Sequence, residues 1–209
     1  YKFEGNSDTE VLLKSLIEWG IDAILKFNGM FSFAFFDKRG KKLFLGRDRY
    51  GIKPLYYSRQ GDLFLFGSEQ KAITSHPKFK KKLNKKALFE YFTFQNIFTD
   101  KTLLEDIKIL KAGHWLSVNL IDKSFRSEMY WDYKFQEEEE LKKDEKEYSI
   151  ELDRLFRQAV KRQLVSDVEL GTYLSGGIDS GSISAISSEY IKDLKSFTIG
   201  FDLSTASGL

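Results

Sequence analysis

Ser175-Gly176-Gly177-Ile178-Asp179-Ser180 is the stretch that decides how the second half of this chain folds. Residues 170–174 before it are typical of a strand, residues 180–191 of a helix and residues 196–201 of a second strand. A strand, a helix and a strand at this spacing predict a parallel pair within an α/β sheet. An amphipathic helix over about residues 147–164 precedes them. The glycine turn is therefore expected at the carboxyl end of a parallel strand, where open α/β sheets bind ligands.

The residue types in this turn suit a phosphate. Gly176 and Gly177 have no side chain, so backbone N–H groups can approach an anion, and the new helix points its positive end at the same place. Ser175 and Ser180 add hydroxyl donors. Asp179 would repel a phosphate, so its carboxylate indicates Mg²⁺ instead. An ordinary capped turn is the alternative, but the convergence of these residues favours an anion site, and the Gly-x-x-x-x-Gly-Lys pattern of a P-loop is not present.

The first half of the chain is patterned as a helix followed by strands. Ser7-Asp8-Thr9-Glu10 has capping-box spacing and opens a helix that Gly20 ends. From Met30 to Ser68, apolar runs separated by glycine-containing turns predict an antiparallel meander. Its strands are predicted at residues 30–36, 42–45, 55–57 and 63–66.

Between the two halves, residues 83–145 are predicted to be a connector of mixed structure. Residues 115–118 and 127–131 predict a small hairpin within it, and the charged run 137–147 reads as an exposed linker. Within the meander, Arg47, Asp48 and Lys53 could be read as catalytic charges. We favour the other interpretation, a turn held by side-chain hydrogen bonds.

Composition limits the class of protein. With 42% hydrophobic and 15% aromatic residues, the chain can bury a core and is globular. A formal charge of +2 gives no indication of nucleic-acid binding, and the longest apolar runs are too short to span a bilayer. Cysteine is absent, which excludes disulfides and a cysteine nucleophile within these residues and fits a cytoplasmic origin. Since the chain begins at Tyr1 and stops just after a strand, we expect it to be an internal fragment.

Two sets of motifs resemble one protein family. Residues 175–180 resemble the Ser-Gly-Gly-x-Asp-Ser signature of the ATP pyrophosphatases. Residues 27–34, 46–57 and 67–72 resemble the class II glutamine amidotransferase domain. In their order and spacing the two resemble the glutamine-hydrolysing asparagine synthase family, in which these domains are fused. The lead-in at residues 164–171 resembles asparagine synthases in particular.

The resemblance implies an α+β fold followed by an α/β fold. Residues 1–82 would be the C-terminal part of an N-terminal-nucleophile hydrolase sandwich, and residues 83–145 the connector. Residues 146–209 would begin a parallel-sheet ATP pyrophosphatase domain, which is adenine nucleotide α-hydrolase-like. Two residues depart from the family pattern, Glu169 in place of a proline and Gly181 in place of a second serine. Both lie beside the loop, so we expect them to be tolerated.

The resemblance also implies roles for individual residues. Asp8 matches the aspartate that binds the α-amino group of glutamine, which suits a carboxylate facing an ammonium. Asp179 would also hold Mg²⁺. The ATP-binding residues would be Leu174, Ser175, Gly176, Gly177, Asp179, Ser180 and Ile199. For Leu174 and Ile199, plain sheet core fits the residue types equally well. The family's catalytic nucleophile is an N-terminal cysteine, so no catalytic residue is predicted here and this chain alone is expected to be inactive.

For the intact enzyme, the resemblance implies that glutamine is hydrolysed to ammonia, which passes through the interior to a second site. There ATP and Mg²⁺ convert aspartate to β-aspartyl-AMP, and ammonia displaces AMP to give asparagine. The implied partners are the small molecules glutamine, aspartate and ATP, with no nucleic acid or membrane, and a homodimer is compatible with the family. Two alternatives stay open. One is a related amidotransferase acting on another carboxylate, for example in surface-sugar biosynthesis, and the other is a non-catalytic ATP-binding protein.

Overall fold

Two folded units make up the part of the chain that a computed structural model describes, residues 1–135 and 144–200. The first unit is Tyr1–Lys134, and the second comprises the residues after it. The described helices are α1 (Asp8–Trp19), α2 (Gln70–Thr74), α3 (Lys85–Phe94), α4 (Glu145–Gln163), α5 (Ile178–Ser188) and a 3₁₀ helix at Gly20–Lys26. The described strands are β1 (Ser32–Asp37), β2 (Lys42–Arg47), β3 (Tyr56–Gln60), β4 (Leu63–Gly67), β5 (Ile107–Ile109), β6 (His114–Asn119), β7 (Phe125–Met129), β8 (Gly171–Tyr173) and β9 (Lys195–Phe197). No helix within these described ranges is long and apolar enough to cross a bilayer.

Local signals set both ends of α1, as the sequence predicts. Ser7 is the N-cap, and its hydroxyl accepts a backbone hydrogen bond from the first turn. Gly20 ends the helix with a φ of +61°, a conformation that glycine adopts at low cost. The Glu10 carboxylate was expected to complete a capping box with Ser7. It accepts hydrogen bonds from the N–H groups of Glu4 and Gly5 instead. Glu10 therefore binds the segment that precedes the helix and does not form a capping box.

The strands of the first unit form two antiparallel sheets, with the orders β1-β2-β6-β7 and β4-β3-β5. The prediction of a single four-stranded meander is therefore wrong. β1 pairs with β2 and β3 pairs with β4, but Leu45 of β2 lies opposite Leu116 of β6, and Ser58 of β3 lies opposite Ile107 of β5. The chain passes from one sheet to the other between β2 and β3.

The two sheets pack face to face around one apolar cluster. The first sheet contributes Leu45 from β2 and Leu116 from β6, both fully buried. The second sheet contributes Tyr57 from β3 and Phe64 from β4, which pack against the same cluster. Because successive side chains of a strand point to opposite faces, the alternate residues of these strands are left to contact helices.

Helices cover the outer face of each sheet. Over the first sheet, Leu16 of α1 and Ile24 of the 3₁₀ helix pack against Phe33 of β1 and Trp115 of β6. Over the second sheet, Ile73 of α2 packs in a cluster with residues of β3, β4 and β5. The first unit is thus a layered sandwich of helix, sheet, sheet and helix, which agrees with the mixed α and β fold and the antiparallel sheets expected for it.

Residues 83–134, most of the predicted connector, belong to the first unit and do not form a separate region. The predicted hairpin is confirmed as β6 and β7, which pair from His114 opposite Met129. β6 also pairs with β2, and without it β2 would present an unpaired edge. The first unit therefore extends to Lys134 and not to residue 82. Residues 137–143, most of the predicted charged linker, lie outside the described residues.

The second unit contains the predicted strand, helix and strand. β8 and β9 pair in parallel, with Gly171 opposite Lys195 and Tyr173 opposite Phe197. α5 connects them and contacts both β8 and α4. It begins two residues earlier than predicted, at Ile178. β9 ends at Phe197, before the predicted end at residue 201, which itself lies outside the described residues.

Candidate functional site

The predicted phosphate-binding loop follows β8 directly. Leu174 continues the parallel pairing, because its N–H donates to the carbonyl of Phe197 at 2.9 Å. The hydroxyl of Thr198 donates to the carbonyl of Leu174 at 2.8 Å. These bonds fix the last residue before the loop from two sides. The loop therefore begins at the carboxyl end of a parallel strand, as predicted.

The two glycines of the loop have different conformations. Gly176 has a φ of +85°, in the left-handed region that a residue with a side chain rarely adopts. Gly177 is the N-cap of α5, with a φ of −82° and a ψ of 160°. No side chain caps this helix end, and the first helical bond runs from the Gly181 N–H to the Gly177 carbonyl at 3.0 Å. The N–H groups of the first turn are thus left without a capping side chain, which is what an anion at a helix N-terminus requires.

Ser175 and Ser180 are joined across the loop. The Ser175 N–H donates to the Ser180 hydroxyl at 3.2 Å, and the two hydroxyl oxygens lie 2.9 Å apart. The Ser180 hydroxyl also donates to the Gly177 carbonyl at 3.1 Å. Ser180 therefore holds the loop closed, a role that the sequence pattern does not indicate. Contact of either hydroxyl with a phosphate stays a prediction.

Asp179 is the second residue of α5, and its side chain is exposed. An acid in the first turn stabilises a helix by itself, so this position has a structural explanation too. Within residues 1–135 and 144–200 no group of three or more His, Cys, Asp or Glu side chains could hold a metal ion. A single carboxylate still suits Mg²⁺ bound to nucleotide phosphates, since Mg²⁺ usually takes one or two carboxylates together with phosphate oxygens and waters.

The two predicted nucleotide contacts outside the loop differ in their surroundings. Leu174 is half-buried beside β9. Ile199 was expected within the second strand, but it lies beyond the end of β9 and is 80% exposed. Plain sheet core therefore does not describe Ile199, and its side chain is accessible to a ligand.

The predicted glutamine contact, Asp8, is the first residue of α1 and is exposed. Its carboxylate accepts a long hydrogen bond of 3.4 Å from the Thr9 hydroxyl. Glu10, in the same helical turn, is engaged by backbone N–H groups at 2.8 and 2.9 Å and by the ammonium of Lys14. These bonds lower the pKa of Glu10 to about 2, with Lys14 as the largest cause and the N–H groups of Glu4 and Gly5 next. Of these two acids, Asp8 is the one that is accessible to a ligand.

The charged turn between β2 and β3 is structural, as we interpreted it from the sequence. Asp48 is 1% exposed, and its carboxylate accepts backbone N–H bonds from Ile52 at 2.9 Å and Lys53 at 3.0 Å. Arg47 donates to the Lys53 carbonyl at 2.8 Å and to the Leu110 carbonyl at 2.6 Å. Both charged side chains therefore hold the backbone of the turn in place.

Sequence reasoning missed two side chains that support these candidate sites. Thr198 bonds the strand end before the loop, and Glu10 ties down the segment before Asp8. A threonine in an apolar run has no distinctive pattern, since β-branched residues are common in strands. For Glu10, the capping-box spacing indicated a role at the helix start but not its hydrogen-bond partners.

Comparisons with known proteins match both units of the chain. Residues 1–131 match the family model of the glutamine amidotransferase domain, and residues 151–207 match that of asparagine synthase. The glutamine-hydrolyzing asparagine synthetase 3 of Bacillus subtilis is 40% identical over 194 residues, which cover 92% of this chain and 31% of that protein. A putative glutamine-hydrolyzing asparagine synthetase 2 of Methanocaldococcus jannaschii is 36% identical over 206 residues, 95% of this chain and 39% of that protein. Amidase chry2 of Gibberella zeae is 28% identical over 219 residues, 97% of this chain and 32% of that protein.

The chain spans between 31% and 39% of the length of these relatives. The glutamine amidotransferase match covers more than half of the chain, and the asparagine synthase match follows it in the order that the motifs predict. The relatives named as asparagine synthetases match along nearly all of the chain, across both units. The chain therefore belongs to the glutamine-hydrolysing asparagine synthase family.

Proposed function

We propose that the protein containing this chain makes asparagine from aspartate, with glutamine as nitrogen donor and ATP as energy source. The observation that supports this most is the order of the two matched domains, a glutamine amidotransferase followed by an asparagine synthase. The loop after β8 adds to it, because its glycines and the helix end that follows them are suited to a phosphate group.

In the proposed reaction, a side-chain carboxylate oxygen of aspartate attacks the α-phosphorus of ATP. The bond between the α-phosphorus and the bridging oxygen breaks, and pyrophosphate leaves. Ammonia from glutamine then attacks the carbonyl carbon of β-aspartyl-AMP, forms the C–N bond and loses a proton, while AMP leaves with the electrons of the broken C–O bond. The products are asparagine, AMP and pyrophosphate.

The loop from Ser175 to Ser180 would bind the pyrophosphate part of ATP. The positive φ of Gly176 shapes the turn, and α5 begins immediately afterwards. Donors that are already in position stabilise charge on a leaving group without reorganising, and this is the contribution we assign to the loop. Leu174 and the exposed Ile199 would contact the rest of the nucleotide.

Mg²⁺ is proposed as the cofactor, with Asp179 as its protein ligand. The donor set fits, because one exposed carboxylate at the start of α5 lies within the sequence of the loop proposed to bind the phosphates. When bound, Mg²⁺ would neutralise part of the phosphate charge.

For the nitrogen donor, Asp8 would bind the α-ammonium group of glutamine. Its exposure and its single long contact with Thr9 leave its carboxylate accessible, whereas Glu10 is occupied. A cytoplasmic location, a homodimer and the lack of nucleic-acid binding stay predictions.

A second candidate is the same chemistry on another carboxylate. It is favoured by the match to amidase chry2, which is not named as an asparagine synthetase and which aligns over 97% of this chain. The units described here contain the proposed ATP loop and the proposed glutamine contact, and neither identifies the acceptor.

The products of the full-length protein test the proposal. Incubated with ATP, Mg²⁺, glutamine and aspartate, it should form AMP and asparagine in equal amounts. A loop that binds the two outer phosphates as one leaving group predicts AMP, whereas cleavage of the γ-phosphate would give ADP. Release of ADP would refute the proposed mechanism. Release of AMP only with a different carboxylate would support the second candidate.

A further inference from the structure

The Glu10 carboxylate turns back from the first turn of α1 onto the segment before the helix. One oxygen accepts the Glu4 N–H at 2.9 Å, and the other accepts the Gly5 N–H at 2.8 Å. The ammonium of Lys14, one turn further along, pairs with the same carboxylate. The Glu10 and Lys14 side chains are both 19% exposed.

Lys14 makes further contacts with the residues before Glu4. Its ammonium also donates to the carbonyl of Lys2, and it lies 4.6 Å from the centre of the Phe3 ring. Glu10 and Lys14 together therefore hold residues 2–5 along the first two turns of α1. These contacts lower the pKa of Glu10 to about 2, so the carboxylate stays charged in acid in which an ordinary glutamate would be protonated.

The held segment leads directly into Asp8. Only Asn6 and the N-cap Ser7 separate it from the first residue of the helix. Helix ends fray unless the chain beside them is fixed, and Asp8 is the residue most exposed to such fraying. A carboxylate that must meet a substrate ammonium needs a fixed backbone, because small displacements weaken a charged hydrogen bond.

We propose that Glu10 is a positioning residue for glutamine, which acts by fixing the chain before Asp8. Its own carboxylate is satisfied within the chain, so it does not touch the substrate. The inference rests on the proposed function, in which Asp8 receives the α-ammonium of glutamine. Of the two acids in this turn, Asp8 binds the ammonium group of glutamine, and Glu10 fixes the backbone before Asp8.

Steady-state kinetics of the full-length protein test this role, with glutamine or ammonia as nitrogen source. Glu10→Ala removes the bonds to the Glu4 and Gly5 N–H groups and the ion pair with Lys14. It should raise the KM for glutamine about tenfold, as expected for the loss of about 1.4 kcal/mol of binding. The kcat with glutamine should be unchanged, and so should the KM and the kcat with ammonia. Glu10→Gln keeps an acceptor for one N–H but loses the ion pair with Lys14, so it should restore part of the affinity.

An unchanged KM for glutamine in Glu10→Ala would overturn the inference. So would an equal loss with ammonia, because a general structural defect would affect both nitrogen sources. Asp8→Ala, assayed alongside, separates this inference from the function on which it rests. A raised KM in Asp8→Ala with a normal KM in Glu10→Ala would reject the positioning role alone. A normal KM in both variants would reject the Asp8 assignment too.

Discussion

Single residues in the loop after β8 have separate tasks, although the sequence presents them as one motif. Ser180 bonds to Ser175 and to the Gly177 carbonyl and so closes the loop, while Gly176 supplies the one left-handed backbone conformation in it. A Cβ on Gly176 would meet no heavy atom within 4 Å. Glycine is needed here for its conformation and not for space.

Gly176→Ala should therefore weaken nucleotide binding without a steric clash. A left-handed alanine costs about 1–2 kcal/mol, and the loop would relax away from its present shape to avoid that cost. We expect the Kd for ATP in the presence of Mg²⁺ to rise about tenfold, measured by calorimetry on the full-length protein.

Gly181→Ala is the matched control, because Gly181 lies inside α5, has no positive φ and also has open space around a Cβ. Alanine in a helix interior is favoured over glycine by about 0.5–1 kcal/mol, so nucleotide binding should be retained. Equal weakening by both substitutions would contradict the conformational explanation of Gly176.

Among the elements, the turn between β2 and β3 determines how the first unit is assembled. It leads the chain from one sheet to the other, and the buried Asp48 carboxylate organises it. Four backbone N–H groups donate to that carboxylate, those of Phe31, Tyr50, Ile52 and Lys53. The bond from Phe31 also ties the turn to the segment before β1.

Asp48→Ala should lower the free energy of unfolding by about 3 kcal/mol or more, because several buried donors would lose their acceptor. Urea denaturation measures this. Asp122→Ala is the control, since Asp122 accepts the Ser124 N–H at 2.8 Å in an exposed turn where water can replace it. That variant should change the unfolding free energy by less than about 0.5 kcal/mol. Similar losses of unfolding free energy in both variants would show that the burial of Asp48 does not explain its contribution to stability.

The same elements show how far the sequence could lead. Apolar alternation and glycine turns were enough to predict β1 to β4 and the β6–β7 hairpin, because these signals are local. They could not show that β2 pairs with β6, since that pairing joins distant parts of the chain and depends on which strand edges remain free. The connector prediction failed for that reason.

For the candidate sites, residue types predicted the loop but not its internal bonds. Glycines, serines and an aspartate that converge on one helix N-terminus indicate an anion site, whereas the bond from Thr198 to the strand end depends on β9 lying beside β8. The bonds from Glu10 to the segment before α1 could not be predicted either, because the spacing of Ser7 and Glu10 also fits a capping box.

At the scale of the whole molecule, we propose that the two units have different functions, one in using glutamine and the other in using ATP. The first unit contains Asp8, a residue within the glutamine amidotransferase match, and the second contains Asp179, a residue within the asparagine synthase match. If glutamine serves only as a source of ammonia, added ammonia should restore asparagine formation in a variant whose glutamine site is impaired. It should not restore asparagine formation in a variant whose ATP site is impaired.

The most direct test is the rate of asparagine formation by the full-length protein with glutamine and with ammonia, for the unchanged protein, Asp8→Ala and Asp179→Ala. We predict that Asp8→Ala lowers the glutamine-driven rate about tenfold or more at subsaturating glutamine and leaves the ammonia-driven rate intact. The reason is that the ion pair between Asp8 and the substrate ammonium would form only with glutamine. Asp179→Ala should lower both rates, since both reactions use the same ATP site. Equal loss of both rates in Asp8→Ala, or an intact ammonia-driven rate in Asp179→Ala, would contradict this division of tasks.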